Sequence, residues 1–357
     1  MGTDGDTGDL HPVVDALRAV QGHKRLRAVM LEREIPVGRS WDDQIKSLAK
    51  HWSDELEAQL IELYEELRLY GRKHIFLHKR ATGLAKLVDA LKGLSPSAAA
   101  GKQFPFPPKD GDGVVGGTPK LVAVREYDEK LLFVFFSMRR LRHEIPFNHA
   151  WLKQDTPEHV RNSEILVTEE VREAAFDVVA VPMKKGLIEV RVDHFNAVTE
   201  PRPDVALKNV LKAFAKLTTD AGITEEILGN PVNVAPAIAA LYAAKKEGNV
   251  VQLKFMCSTQ AKRSETMMAH KGQDLRVEAY HKHGVKALGT PIQIYSIALE
   301  WFFDGDDEPL DNAHLLLPGT KSMIGDNARP LYEVRVPKLT GRLEHDFMLK
   351  RLSEYVP

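Results

Sequence analysis

Cysteine is nearly absent. Cys257 is the one cysteine among 357 residues, so the chain can form neither an internal disulfide nor a thiolate-rich zinc site. Aromatic residues are sparse at 7%, and few stand among the basic residues, which argues against a row of bases stacked along a single strand. Charge of neither sign dominates. With a formal net charge of -1, no global field draws the molecule to nucleic acid or to an anionic membrane, and such binding has to come from a local patch. No uninterrupted apolar stretch reaches the roughly 20 residues that span a bilayer, so no membrane partner is expected. The opening MGTDGDTGDLHP has neither the basic start nor the apolar core of a signal peptide. Asp6 stands where myristoylation of Gly2 requires Ser or Thr. A cytoplasmic location is the expectation.

What is present is ordinary globular composition, 43% hydrophobic and 28% charged, enough to bury a real core. After an acidic tail at 1–11, residues 12–95 read as a helical domain. Val13, Leu17 and Val20 form an apolar stripe, which Leu26, Val29 and Met30 continue. Ser40 with Asp43 resembles a capping box, and Trp41, Ile45, Leu48 and Trp52 recur at helical spacing. The clearest helix covers 54–70. Asp54, Glu55 and Glu57 favour its positive N-terminal end, Leu56, Leu60, Leu63, Tyr64 and Leu67 line one face, and Gly71 ends it. A strand-like run from His74 to Leu77 interrupts the helices.

Residues 96–119, crowded with Pro105, Pro107, Pro108 and several glycines, read as a linker or long loop. From 120 to 357 the pattern is that of a mixed domain. A hairpin turns near Asp128, its second arm apolar on both faces. A second hairpin turns at Lys185-Gly186, and in its second arm Ile188, Val190 and Val192 alternate with Glu189, Arg191 and Asp193 as in a half-buried strand. Helices follow, with Leu207, Val210, Leu211, Phe214 and Leu217 sharing a face and a second helix at 236–246. Strands return at 249–257, 291–303 and 331–336. A C-terminal helix capped near Thr340 should turn Leu343, Phe347 and Leu352 inward. The expected class is α+β, an N-terminal helical domain followed by a mainly antiparallel sheet with flanking helices. Leu187–Val192 (LIEVRV) nearly repeats as Leu331–Val336 (LYEVRV), which six residues cannot raise to a duplication.

Several motifs fail on context. Gly111, Gly113 and Gly116 match G-x-G-x-x-G, but prolines flank them where a strand and a helix are needed. Arg125 stands where a kinase strand carries lysine, with no H-R-D or D-F-G downstream. His143-Glu144 with His149 is not H-E-x-x-H, and Pro146 breaks the helix. Asp304, Asp306 and Glu308 alternate like calcium ligands, yet Pro309 stands where glycine must turn and Leu315 where glutamate must close the loop. His281, His283 and His270 could share a strand face, though zinc needs further ligands and exposed histidines are expected. Cys257 lies on an apolar strand face and reads as a buried structural thiol. Asp177, Glu189 and Arg191 loosely resemble the acid and E-x-K of a magnesium-dependent nuclease, with arginine in the lysine's place.

Local basic clusters remain. Lys208, Lys212 and Lys216 lie four apart on one helix, Lys245 and Lys246 close the next, and Arg72, Lys73, Arg139 and Arg140 form a second set. Such cations neutralise phosphates when they converge. The leading expectation is a non-enzymatic binding protein, contacting the nucleic-acid phosphate backbone or protein partners within a larger assembly and using no cofactor or metal. The alternatives are a metal-dependent nuclease built on Asp177 and Glu189, or a purely structural protein–protein subunit. No motif is specific enough to point to a family.

Overall fold

A computed structural model of the chain describes residues 11–20, 23–102, 104–107, 117–127, 129–148, 151–153, 157–158, 163, 165–195, 197, 202–268, 273–302, 313–338 and 341–356. Among them the chain is α+β, with ten α-helices and a sheet of eleven strands whose pairings are all antiparallel. Among the described residues no helix is long and apolar enough to cross a membrane.

Four helices precede the sheet: α1 (Pro12–Val20), α2 (His23–Glu32), α3 (Trp41–Lys50) and α4 (Asp54–Tyr70). The Ser40 hydroxyl accepts from the Asp43 N–H at 3.2 Å and that of Ser53 from Leu56 at 3.1 Å, satisfying two donors that the helix geometry leaves open. The leucine stripe of α4, from Leu56 to Leu67, buries itself against Val13, Leu17, Leu26, Met30 and Leu48. The last turn of α4 then faces elsewhere, because Leu69 and Tyr70 pack beneath the sheet. One amphipathic helix thus serves two cores.

The strands are β1 (Lys73–Arg80), β2 (Lys120–Tyr127), β3 (Lys130–Ile145), β4 (Val167–Pro182), β5 (Ile188–Asp193), β6 (Leu228–Pro231), β7 (Asn249–Met256), β8 (Lys262–Thr266), β9 (Gln293–Trp301), β10 (Ala313–Leu317) and β11 (Glu333–Val336). Their order is β2-β3-β4-β5-β1-β11-β10-β9-β7-β8, with β6 also against β1. The strand-like run at 74–77 is therefore the centre of the sheet. Both hairpins form, and Gly186, with φ +130, supplies the left-handed turn of the second. The β3–β4 ribbon is longer than its apolar part, running in register from Lys130 opposite Pro182 to Ile145 opposite Val167. Its outer half is mostly charged, with the buried Leu141 opposite Val171 among arginines and glutamates, so no clean alternation marks it as strand.

Six further helices flank the sheet: α5 (Val88–Lys92), α6 (Ala98–Gly101), α7 (Pro203–Asp220), α8 (Ala235–Ala243), α9 (Ala279–Leu288) and α10 (Arg342–Ser353). Side chains alternate along β1. Phe76 belongs to the core that α7 covers with Ala206, Val210 and Phe214. Its neighbours Ile75 and Leu77 join the core covered by Ile238 of α8 and by Met348 and Leu352 of α10. Hence α7 lies on one face, and α8 and α10 on the other.

Within the 96–119 segment, α6 has a Ser97 cap, Phe104 is buried, and Phe106 stacks on Tyr64 at 5.1 Å between centroids. Residues 108–116, with the Gly111/Gly113/Gly116 pattern, lie outside the described residues, as do His149, His270, Asp304, Asp306, Glu308 and Thr340.

Three expectations are corrected. Leu343 is exposed rather than inward, because the phase of α10 turns His345, Met348 and Leu352 to the core. His281 lies on α9, not on a strand, and it is buried between Tyr242 and Glu265. The Glu189/Arg191 side of β5 is not a solvent face, since both side chains are buried.

Candidate functional site

The sheet buries a network of charged side chains, among them Lys73, Asp177, Glu189 and Arg191. Lys73 opens β1 with no exposed surface; its ammonium donates to the Phe176 carbonyl at 2.8 Å and pairs with Asp193 at the end of β5. Burial pulls the Lys73 ammonium below its ordinary pKa against the pull of Asp193. The other Asp193 oxygen accepts from the Phe176 N–H at 2.6 Å, so that carboxylate is engaged on both sides. Asp177 accepts from the Asp193 N–H at 3.0 Å and pairs with Arg139, which also donates to the Asp193 carbonyl at 3.1 Å. Burial raises the Asp177 pKa, with Arg139 opposing.

A second cluster lies further along β5. Arg191 Nη2 is 2.7 Å from Glu189 Oε2, Lys130 Nζ is 2.9 Å from Glu189 Oε1, and His345 Nε2 is 3.0 Å from Glu189 Oε2. Burial alone would raise the Glu189 pKa, but Arg191, the His345 hydrogen bond and Lys130 hold it well below the carboxylate range. Glu189, Arg191 and His345 are buried here, and Lys130 reaches in from the surface, where it also pairs with Asp346 at 2.8 Å.

The two acids of the nuclease reading do not converge. Val179 of β4 pairs with Val190 of β5. Asp177 shares the side of Val179, whereas Glu189 and Arg191 flank Val190 and face the opposite side of the sheet. Among the described residues, no group of three or more His, Cys, Asp or Glu side chains could hold a metal ion.

Beside the Lys73–Asp193 pair, where β1 begins and β5 ends, a cavity of about 470 Å³ opens. Arg68 from α4, Arg72 before β1 and Arg172 from β4 line it, with His143, Glu173, Asp193, His194 and Phe195. Local structure fixes these groups. The Arg68 guanidinium lies 5.0 Å over the Tyr64 ring and 5.2 Å over Phe176, and its Nη2 donates to the Tyr64 hydroxyl at 2.6 Å. The His194 N–H donates to the Arg72 carbonyl at 3.1 Å, tying the end of β5 to the start of β1. The His194 ring meets His74 edge-on at 4.6 Å. Phe195 carries the Arg139 guanidinium 5.7 Å over its ring. Of the two carboxylates in the wall, Asp193 is held by Lys73, and Glu173 Oε1 lies 2.6 Å from His143 Nε2. Among the lining residues three arginines stand against two carboxylates.

The basic residues singled out in the sequence divide accordingly. Arg72 lines the cavity, Lys73 lies buried behind Asp193, and Arg139 stands behind Phe195. Arg140 is exposed on the ribbon, directly opposite Arg172. Lys208, Lys212 and Lys216 are all exposed on α7, and Lys216 pairs with Asp220 at 2.8 Å. Lys245 and Lys246 are exposed just after α8, on the opposite face of the sheet, so the two lysine groups do not form one surface. Sequence reasoning missed Arg68, Arg172, His194 and Phe195, and met His143 only in a failed H-E-x-x-H match. The only signal for Arg68 was its place in the last turn of the clearest helix, and Arg172 sits in the polar stretch of β4 that has no readable period.

Fold and site together define an α+β protein with an arginine-lined cavity at one end of its central strands. No protein-family model, curated protein or solved structure matches the chain.

Proposed function

We propose that this is a non-enzymatic binding protein that receives a phosphate group of nucleic acid in the arginine-lined cavity. One observation carries the reading: Arg68, Arg72 and Arg172 line a single cavity in which they outnumber the two lining carboxylates, Glu173 and Asp193. Guanidinium groups present paired donors that match two phosphate oxygens at once, and each such bond is charge-assisted. Arg140, opposite Arg172, is paired with Glu170 at 3.8 Å, and it and the lysines of α7 and of the 245–246 turn serve at most as outlying contacts. Protein partners of a larger assembly and a cytoplasmic setting go with this reading; the lone buried thiol of Cys257 suits a reducing compartment.

The test is a titration of the full chain against single- and double-stranded DNA and RNA at two salt concentrations. Binding that weakens steeply with salt, and whose salt slope shrinks by about one per removed phosphate contact in Arg72→Ala and Arg172→Ala, is the expected result. Absence of binding at low salt, or binding indifferent to both substitutions, overturns the reading.

A further inference from the structure

We infer that the outer edge of β8 pairs antiparallel with β8 of a second copy of this chain, about a two-fold axis at Ser264, so that two sheets become one. The strand order ends on β2 at one side and on β8 at the other. The β2 edge is flanked by Lys92, Leu94, Pro96 and Gly101, which line a cavity with Val122 to Glu126. Nothing pairs with the outer side of β8 among the described residues. Lys262, Arg263, Ser264 and Thr266 are exposed there, and Glu265 is half-buried.

The backbone supplies the first argument. Next to the hairpin turn the Cys257 N–H donates to the Ala261 carbonyl at 3.0 Å, and at the far end the Met267 N–H donates to the Val251 carbonyl at 2.9 Å. Between them β7 and β8 run in register from Gln252 opposite Thr266 to Met256 opposite Lys262. Hydrogen-bonded and non-hydrogen-bonded pairs alternate along an antiparallel ladder. Arg263 and Glu265 therefore turn their backbone groups to β7, while Lys262, Ser264 and Thr266 turn N–H and C=O outward. A row of open edge groups is a template for another strand.

Charge complementarity decides which strand. With Ser264 opposite Ser264 of the second copy, Lys262 stands opposite Thr266 and Arg263 opposite Glu265. Those Arg–Glu pairs are non-hydrogen-bonded ones, where side chains approach most closely, and the two-fold axis forms the contact twice. Arg263 makes no ion pair among the described residues. Glu265 Oε2 lies 2.5 Å from His281 Nδ1, which holds the carboxylate at the edge and leaves Oε1 for the arginine. A slip by two residues either way sets Arg263 against Arg263 or Glu265 against Glu265, and like charges directly opposite destabilise a sheet. The edge fits its own copy in one register.

Apolar surface beside the edge is the third argument. A stable dimer buries roughly 1,200–2,000 Å² in total, more than a strand of five residues offers alone. Met268, two residues beyond β8, is 76% exposed, and Tyr280, next to the histidine that holds Glu265, is 81% exposed. Large apolar side chains left in water around an open strand edge mark a surface that is covered by association.

The experiment is sedimentation equilibrium of the full chain over a concentration series, repeated on variants. The chain should form a dimer, and Arg263→Glu should raise its Kd at least about tenfold by setting two glutamates against each other on both sides of the axis. The Arg263 side chain is exposed, so the fold is spared. Ser264→Pro removes an outward N–H that β7 does not use and should abolish the dimer. Ser264→Cys reads the register. The Cα atoms of a hydrogen-bonded antiparallel pair lie about 5.5 Å apart, within disulfide reach, so this variant should give a covalent dimer on mild oxidation. Lys262→Cys should not, because its own copy lies four residues further along the paired strand. Cys257 is buried and common to every variant, so the unsubstituted chain is the control. A chain that is still monomeric at about 100 μM overturns the inference. So does a dimer that survives Arg263→Glu or Ser264→Pro unchanged, since its contact lies elsewhere. Failure of Ser264→Cys to cross-link, or equal cross-linking of Lys262→Cys, overturns it as well.

Discussion

His345 of α10 reaches across to Glu189 of β5, its Nε2 3.0 Å from the carboxylate, with both side chains buried. The other ring nitrogen, Nδ1, has no partner among the described residues. A neutral imidazole, donating from Nε2 and leaving the Nδ1 lone pair against apolar neighbours, satisfies this arrangement. Burial, reinforced by the nearby Arg191 charge, lowers the His345 pKa from the ordinary 6.5 to about 4 despite the glutamate.

That shift makes stability depend on pH. Between pH 6.5 and about 4 the unfolded chain binds a proton at His345 that the folded chain refuses, so acidification favours unfolding. The contribution is fully present above 6.5 and is lost as pH falls through the folded value, amounting to ~3 kcal/mol in all. Glu189, whose folded pKa is also depressed, adds a further loss only below its ordinary 4.5. Urea denaturation at successive pH values should show the decline beginning near neutrality and should show it flattened in His345→Gln. An identical pH profile in that variant would contradict the assignment.

Glu189 compensates Arg191, which has no exposed surface, and also neutralises Lys130. Glu189→Ala strands a buried guanidinium and should cost about 3–5 kcal/mol. The corresponding change in the other E-x-R strand, Glu333→Ala, should cost less, because the Arg335 side chain is 30% exposed and can rehydrate. Denaturant midpoints of the two variants at neutral pH check the order.

Lys73 and Asp193 join the start of β1 to the end of β5 with no water-exposed ammonium. Lys73→Met and Asp193→Asn should each destabilise by several kcal/mol, roughly the 3–5 kcal/mol of a broken buried pair. Together they should cost clearly less than the sum, since neither variant then leaves a charge alone. Additive losses in a double-mutant cycle would mean the pair is not coupled.

The lysine stripe of α7 offers a contrast. Lys208, Lys212 and Lys216 are exposed, so reversing all three to glutamate should change stability by only about 0.5 kcal/mol per site or less. Their effect on nucleic-acid affinity should be smaller than that of Arg72→Ala alone. A larger effect would place the main phosphate contacts on α7 rather than in the cavity.

Two near-identical hexapeptides mark the limit of what pattern can tell. LIEVRV and LYEVRV both become strands, and both pair with β1, one on each side. Yet Glu189 stands opposite Leu77, while Glu333 stands opposite Phe76. This one-residue offset sends their Glu-x-Arg pairs to opposite faces of the sheet. One is sealed beneath Tyr70 and His345, with the Arg191 guanidinium 4.5 Å over the Tyr70 ring. The other stays half-buried beside His74, whose Nδ1 is 2.8 Å from Glu333. Alternation predicts strand, but which side is covered depends on helices more than a hundred residues away.

The amino-acid sequence by itself determined the local elements: the leucine stripe and caps of α3 and α4, the two hairpins, the apolar core of β3, and the α+β class. Those depend on periodicity and turn chemistry, which act between residues close in the chain. Tertiary structure decided the rest. It set β1, a run of eight residues among helices, at the centre of an eleven-stranded sheet. It turned Asp177 and Glu189 to opposite faces and kept the lysine groups of α7 and α8 apart. It also drew Arg68, Arg72 and Arg172, from a helix end, a tight connection and a polar ribbon, to one cavity. Convergence of that kind is a matter of strand register and helix docking, and linear spacing carries no record of either.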